Sequence, residues 1–419
     1  MKKFDAEFSM QAVPKANRNN FWKTLSVMLG MTFFSASMLA GGQLGLGLSF
    51  TQLITIVLFG NLILGIYTGS LAYIASKTGL STHLLAKYAF GEKGSHLPSF
   101  LLGFTQVGWF GVGVAMFAVP VAAIMGWNVF AIIFIFGIAM TLSALYGMKT
   151  LIILGYVAVP AIAILGGYSS LSATEAMGGL QGLLAYESTT TLSVAAALTI
   201  CIGSFISAGS LTPDFTRFSK SPRQAVSATV IAFWLGNSLM FIFGAVGAMA
   251  YGLAEISEVM FLQGLVLPAI IVLGLNIWTT NDNALYASGL AFANITGLPK
   301  KLFVVVNGLL GTVLAMWMYA NFVGFLNVLG AAIPSIGAII IADYFFIRKR
   351  KYAKFETMNF KKVNWIAMAA WSIGVGLAQF APGIAPLNAL IGTGIVYIVL
   401  MKVLPNGLPI KGVVVSSDN

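Results

Sequence analysis

Long apolar stretches recur along this chain, and they constrain its fold more than any other feature. A helix needs about 20 mainly apolar residues to cross a bilayer. Twelve such stretches can be identified, at residues 22–48, 51–76, 98–125, 128–147, 150–172, 190–213, 224–252, 262–292, 302–319, 321–346, 363–382 and 386–404. Only 8% of the residues are charged, which excludes a soluble domain of this length. The sequence predicts an all-α polytopic membrane protein with 12 transmembrane helices.

The charged residues orient these twelve predicted spans. With the N-terminus in the cytoplasm, all 23 lysines and arginines fall in cytoplasmic segments or at the cytoplasmic ends of spans. The connections on the other side carry only acids, namely Glu175, Glu187, Glu255 and Glu258. The positive-inside rule predicts this bias. We therefore expect a multi-pass protein of the bacterial cell inner membrane, with cytoplasmic tails at residues 1–20 and 405–419.

A run of four basic residues, Arg348 to Lys351, follows the tenth predicted span. Basic runs can bind nucleic acid, but at the end of a span they more simply fix topology and lie against anionic lipid head groups. We expect the lipid bilayer as a partner and no nucleic acid.

Two similar motifs occur in the first and sixth spans. The stretches from Gly30 to Ser37 and from Gly203 to Ser210 both contain Phe-x-Ser-Ala among small residues. The two spans run in opposite directions, which predicts a five-plus-five inverted repeat at residues 21–172 and 190–346, followed by two helices at 347–404. Because Gly and Ser weaken helices, we expect both spans to be broken at mid-membrane. Close helix packing is the alternative use of such small residues.

The eighth span carries the densest polar cluster. Four of its polar side chains fall on one helical face, namely Asn276, Thr279, Thr280 and Asn283. Neutral oxygens at this spacing suit a monovalent cation such as sodium, with carbonyls of a facing broken helix completing the shell. The alternative is that the threonine hydroxyls bond back to their own helix.

Asp282 is an acid deep within the same span. An intramembrane carboxylate is a functional candidate by default, so a proton relay or cation binding is possible. Its position lies off the face of Asn276, which favours a third role as a hydrogen-bonded structural group. Asp282 is therefore a coupling or structural candidate.

The third span offers groups for a flat ligand. Gln106 and Trp109 are neighbours one turn apart, and an amide can match the edge of a nucleobase while an indole stacks on its face. We expect Phe205, in the broken part of the sixth span, to supply the opposite aromatic face. No Lys or Arg lies at mid-membrane, so the expected ligand is neutral, flat and small.

Enzyme and channel functions are disfavoured by what the chain contains. Cys201 is its single cysteine, and its two histidines, His83 and His96, lie together in one polar connection. This leaves no nucleophile–base pair and no metal cluster at mid-depth. A channel would need rings of charge or a repeated carbonyl filter, and neither pattern occurs.

Several segments resemble the nucleobase:cation symporter-1 family over residues 17–404. They are Gly-Trp109-Phe-Gly, Gly203-Ser-Phe205-Ile-Ser207-Ala, Trp278-Thr-Thr-Asn-Asp-Asn283 and Ala342-Asp343-Tyr344. The resemblance implies a LeuT-type fold, a monomer, cytosine as substrate and sodium as coupling ion.

The resemblance also implies site residues. The base would stack between Trp109 and Phe205, and the remaining substrate contacts would come from Gln106, Ser204, Ser207, Ala208 and Asn281. Sodium would bind the carbonyls of Gly30, Phe33 and Asn276 and the hydroxyls of Thr279 and Thr280. The hydantoin permease branch of the family has a Gln where this chain has Gly113, so recognition must differ, and Gln106 is the candidate replacement.

The resulting expectation is a secondary active transporter that imports cytosine by sodium-coupled symport and alternating access. The alternative is a proton-coupled symporter of the same fold for another nucleobase or a related heterocycle, for which Asp282 is the supporting residue.

Overall fold

The computed structural model describes residues 7–188, 190–321 and 330–404. Within these ranges the chain is helical, and its one isolated bridge between extended segments joins Asn19 to Ser219. The beginning of the tenth predicted span and the predicted C-terminal tail lie outside the described residues.

Each predicted span corresponds to one helix or to two helices in series. Their bounds are Phe21–Thr32 with Ser35–Gly47, Phe50–Thr78, His96–Met125, Val129–Ala144, Met148–Ala176, Val194–Gly209 with Thr212–Thr216, Pro222–Tyr251, Val266–Thr296, Lys300–Ala320, Gly330–Ile347, Trp365–Phe380 and Ala385–Val403. Shorter helices at Thr82–Phe90, Gly179–Leu184 and Ile256–Leu262 lie in the connections. The all-α prediction is confirmed.

Length and composition alone qualify fewer helices as membrane crossings. Among the described residues, seven helices are long and apolar enough, and eight if the bent pair of the first span counts as one crossing. Three further apolar helices are shorter, and they are Val129–Ala144, Val194–Gly209 and Trp365–Phe380. The chain is a multi-pass membrane protein, and the full count of twelve crossings stays a prediction.

Large apolar side chains cover the outside of the helix bundle. Phe134, Ile164, Val313 and Phe380 are 62%, 73%, 82% and 89% exposed. Contiguous apolar surface of this kind is unfavourable in water and natural against lipid, where the helices satisfy their own backbone hydrogen bonds.

Local signals explain where individual helices begin and end. The second span starts with a capping box, in which the Ser49 hydroxyl accepts from the Gln52 N–H and the Gln52 side chain accepts from the Ser49 N–H. The same helix ends at Gly79, whose φ of 75° is in the left-handed region that glycine adopts without strain.

A buried amide network joins three spans close to the centre of the bundle. The Ser37 hydroxyl donates to Asn237 Oδ1 at 2.7 Å, and Asn237 Nδ2 donates to Asn61 Oδ1 at 2.7 Å. All three side chains are at most 1% exposed. Because polar groups in a bilayer need partners, this network ties the second half of the first span to the second and seventh spans.

The N-terminal segment packs against helix ends. Arg217 is fully buried and donates to the carbonyls of Glu7 at 2.9 Å and Phe8 at 2.7 Å, and to the Tyr286 hydroxyl at 3.1 Å. Residues described from the predicted N-terminal tail are therefore held against the sixth and eighth spans.

Candidate substrate and cation sites

The first span is broken at Phe33 and Phe34. The helices Phe21–Thr32 and Ser35–Gly47 meet there at a bend of 51°. The side chain of Asn276, on the eighth span, accepts from the Ser35 N–H at 2.8 Å and donates to the Phe33 carbonyl at 2.9 Å. This carboxamide replaces backbone hydrogen bonds that the break removes, so the predicted interruption of the first span is stabilised by the eighth span.

The first and eighth spans, which carry the predicted cation residues, are in contact at this break. A Cβ on Gly30 would lie 2.8 Å from Thr279 Cγ2, so the first and eighth spans are in close contact there. The Phe33 carbonyl meets the Asn276 amide, and the Asn276 carbonyl in turn accepts from the Thr280 hydroxyl at 3.1 Å. These contacts join the two spans, and the set of cation ligands stays a prediction.

Both threonine hydroxyls bond to their own helix. Thr279 donates to the Leu275 carbonyl at 2.7 Å, and Thr280 donates to the carbonyls of Asn276 and Ile277. This was the alternative reading of the polar face, and it does not exclude the cation role, because a hydroxyl that donates its hydrogen keeps lone pairs for a cation. The neutral donor set fits a monovalent cation of oxygen-ligand chemistry.

A small cavity lies beside the break, lined by side chains of several spans. Six of the seven predicted substrate residues line it, and they are Gln106, Trp109, Ser204, Phe205, Ala208 and Asn281. The seventh, Ser207, sits behind the indole, and its hydroxyl accepts from Trp109 Nε1 at 3.3 Å. Residues from the first, third, sixth and eighth spans therefore meet around one cavity.

Aromatic rings form much of the cavity wall. Phe34, at the break, packs edge-on against Trp109 with ring centroids 5.7 Å apart and against Phe205 at 6.5 Å. Phe205 is held from behind by Phe233, edge-on at 5.5 Å. These contacts fix the orientation of both predicted stacking rings. Phe34 belongs to the motif from Gly30 to Ser37, and the sequence alone predicted no role for it.

Two buried polar atoms in the described part of this cavity have no hydrogen-bond partner. They are Gln106 Nε2, a donor, and Asn283 Oδ1, an acceptor, and both residues line the cavity. The side chains are 5% and 4% exposed. An unsatisfied buried polar group costs about 1–3 kcal/mol, so a ligand carrying both an acceptor and a donor would recover that free energy here.

The sequence predicted Asn283 on the cation face of the eighth span. In the structure Asn283 also lines the substrate cavity. Its Nδ2 donates to the Thr279 carbonyl at 3.0 Å, which leaves Oδ1 as the atom without a partner. The helical spacing that put Asn283 with Thr279 and Thr280 was the available signal, but only the packing of the third span against the eighth reveals the cavity.

The space next to Gly113 is filled by Asn281. A Cβ on Gly113 would overlap Asn281 Oδ1, and Asn281 Nδ2 donates to the Phe110 carbonyl at 3.3 Å. A larger residue at position 113 would displace the Asn281 side chain. This gives a physical reason for a glycine at position 113 in this chain.

The expectation for the sixth span was wrong in one respect. Phe205 lies within the regular helix Val194–Gly209, and the interruption falls later, at Ser210 and Leu211. The small residues serve close packing, since a Cβ on Gly209 would lie 2.9 Å from Thr68 Cγ2 of the second span. The Ser204 hydroxyl bonds back to the Cys201 carbonyl at 3.1 Å, which is compatible with a continuous helix.

Asp282 faces the fourth span and is absent from the described cavity lining. It is fully buried, and its Oδ1 accepts from the Ser143 hydroxyl at 2.8 Å, while Oδ2 has no partner among the described residues. Ser143 also accepts from Trp278 Nε1 at 2.7 Å. The contacts are those of a hydrogen-bonded group between two spans, and the structural role stays a prediction.

Known structures define the class of this fold. The transporter Mhp1 of the nucleobase-cation-symport-1 family, in a closed conformation with bromovinylhydantoin bound, matches with a TM-score of 0.85 at 22% identity, covering 96% of each chain. A Na⁺-coupled sialic acid symporter in an outward-open state matches with a TM-score of 0.75 at 11% identity, covering 97% of this chain and 93% of that chain. The chain has the LeuT-type transporter fold.

Sequence comparison then defines the family. Residues 12–410 match the family of permeases for cytosine/purines, uracil, thiamine and allantoin. The cytosine permease of Escherichia coli (strain K12) is 54% identical over 400 residues, covering 96% of this chain and 95% of that protein. The hydantoin permease of Microbacterium maritypicum is 24% identical, covering 92% and 86%. This chain belongs to the nucleobase:cation symporter-1 family and is a transporter rather than an enzyme.

Proposed function

We propose that this chain imports cytosine across the bacterial inner membrane, with both termini in the cytoplasm. The observation that carries the proposal is the pair of unsatisfied atoms, Gln106 Nε2 and Asn283 Oδ1, in a cavity walled by Trp109 and Phe205. Cytosine is flat and neutral and carries both donors and acceptors on its edge. The relative named cytosine permease, at 54% identity, supports the same substrate.

In this proposal, stacking contacts recognise the faces of the base and polar contacts recognise its edge. The aromatic faces of Trp109 and Phe205 hold the ring, while Gln106, Asn281, Asn283 and Ser204 read its edge. Uracil exchanges a donor and an acceptor relative to cytosine, so a polar pocket that fits cytosine leaves buried groups unpaired with uracil. Such mismatches discriminate far more strongly than a missing methylene.

Sodium is the proposed coupling ion. It would bind the carbonyls of Gly30, Phe33 and Asn276 and the hydroxyls of Thr279 and Thr280, which join the first span to the eighth. Because Phe34 at the same break contacts both stacking rings, filling the cation site orders one wall of the base cavity. By linkage, whatever sodium adds to cytosine affinity, cytosine adds to sodium affinity.

Transport then follows by alternating access. The first and sixth spans belong to the repeats that rock against each other around the site, exposing it to one side at a time. Each sodium ion entering down a potential of 100 mV releases about 2.3 kcal/mol, in addition to its concentration gradient. That free energy drives cytosine uptake.

A sodium gradient imposed without a pH gradient is expected to drive radiolabelled cytosine into proteoliposomes that contain the purified protein. Potassium in place of sodium should abolish the accumulation. Uptake driven by a proton gradient and indifferent to sodium would favour the alternative, a proton-coupled symporter, for which the buried Asp282 with its unpartnered Oδ2 is the supporting observation.

A further inference from the structure

A second cavity lies where the helix Thr82–Phe90 meets the ends of the last three spans. Its lining includes three basic side chains, Lys87, Arg348 and Lys361, and no acid. The polar residues Tyr88, Asn359 and Asn364 also line it. None of its lining residues lines the substrate cavity, and the transport proposal makes no use of it.

The walls of this basic cavity are held in place by direct contacts. The rings of Tyr88 and Tyr352 stack with centroids 4.0 Å apart and an interplanar angle of 4°. The Tyr88 hydroxyl donates to the Ala353 carbonyl at 2.7 Å, and Asn364 Nδ2 donates to the Ala89 carbonyl at 2.7 Å. The site is therefore formed in advance of any ligand, which lowers the entropic cost of binding.

Asp343 contacts Arg348, one of the three basic residues that line the cavity. Asp343 Oδ2 lies 3.8 Å from Arg348 Nε and also accepts from the Tyr352 hydroxyl, while its Oδ1 accepts from Tyr397. Arg348 Nε is buried and makes no hydrogen bond within the described part of the chain. The carboxylate therefore neutralises part of the positive charge without saturating the guanidinium.

Other charges surround the rim. Glu92 interacts electrostatically with Lys87, and Glu356 does so with Tyr88. Both glutamates are exposed to solvent. Further basic residues lie within four positions of a lining residue in the sequence, namely Lys93, Lys349, Arg350, Lys351, Lys354 and Lys362. The local excess of positive charge favours an anionic ligand.

Exposed apolar side chains lie close in sequence to residues that line this cavity. Phe346, Trp365 and Val403 are 57%, 76% and 71% exposed. Each lies within two residues of a lining residue, namely Arg348, Asn364 and Met401. A soluble anion would make no use of this apolar surface, whereas a phospholipid places its phosphate on basic groups and its acyl chains on apolar side chains.

We propose that this cavity binds the phosphate of an anionic phospholipid from the cytoplasmic leaflet, a role that depends on the cytoplasmic orientation proposed above. Lys87, Arg348 and Lys361 receive the phosphate, and Trp365 and Val403 lie along the lipid chains. Bound lipid would bridge the helix Thr82–Phe90 and the eleventh and twelfth spans.

The test titrates the purified full-length protein in neutral detergent with phosphatidylglycerol, phosphatidylcholine or inorganic phosphate, and counts bound molecules by native mass spectrometry. Phosphatidylglycerol is expected to bind at least tenfold more tightly than phosphatidylcholine, with inorganic phosphate unable to compete at equal concentration. Equal binding of the two lipids would overturn the proposal. Effective competition by inorganic phosphate would identify a free-anion site and overturn it as well.

A double variant, Lys87→Gln with Lys361→Gln, tests the location on the same titration. Two basic residues at about 1 kcal/mol each correspond to an approximately 30-fold loss of phosphatidylglycerol affinity. The matched control is Lys149→Gln with Lys220→Gln, which removes two exposed basic residues elsewhere and should leave the affinity unchanged. An equal loss in both double variants would reduce the effect to net charge and contradict the site. Cytosine binding verifies that each variant is folded. The comparison of the two lipids on the unmodified protein tests the proposal even if a variant fails to fold.

Discussion

Replacing Trp109 by alanine is expected to weaken cytosine binding by about 5- to 150-fold, because base stacking on an aromatic ring is worth about 1–3 kcal/mol. The indole is 6% exposed, lines the substrate cavity and is oriented by its hydrogen bond to Ser207. Equilibrium binding of radiolabelled cytosine to purified protein in saturating sodium measures the loss directly.

Two controls separate stacking from folding. Trp109→Phe keeps an aromatic face and loses the hydrogen bond to Ser207, so most of the affinity should remain. Trp317→Ala removes an indole that is 61% exposed on the ninth span, away from the cavity, and should leave binding unchanged. Unchanged affinity in Trp109→Ala would remove the stacking model.

Replacing both Thr279 and Thr280 by alanine is expected to abolish the stimulation of cytosine uptake by sodium. Two polar contacts to a charged group, at about 1.5 kcal/mol or more each, correspond to a loss of sodium affinity of about 100-fold or more. The measurement is initial cytosine uptake into proteoliposomes as a function of sodium concentration.

Serine at both positions keeps the hydroxyls and should restore most of the sodium dependence. Thr312→Ala is the matched control, since the Thr312 hydroxyl also bonds back to its own helix, at 2.7 Å from the Gly308 carbonyl, on the ninth span. Sodium stimulation that survives in the double alanine variant would move the cation to a different place.

Much of the fold could be predicted from local patterns in the sequence. Apolar runs and basic connections predicted helices that the structure contains, because a bilayer imposes both signals on the sequence directly. The small residues around Phe33 predicted the break of the first span correctly. The same signal misplaced the break of the sixth span, since Gly209 serves close packing against Thr68 and small residues alone do not distinguish these uses.

Contacts between distant residues could not be predicted. Asn61 and Asn237 are 176 positions apart, and nothing in their local sequence indicates that they hydrogen-bond. Phe34 could have been an ordinary apolar residue of a span, and its contacts with Trp109 and Phe205 depend on the bend. The motifs identified most of the candidate substrate residues. That Asn283 Oδ1 lacks a hydrogen-bond partner among the described residues could be seen only in the folded structure.

The central claim is that cytosine lies between Trp109 and Phe205 beside the break of the first span. A structure determined by electron cryo-microscopy with cytosine and sodium present tests it most directly. We expect density for a flat ring stacked on the Trp109 indole, with Gln106 and Asn283 at its edge and a cation between Phe33 and Thr279. Ring density at another position, with Gln106 Nε2 and Asn283 Oδ1 still without partners, would contradict the account.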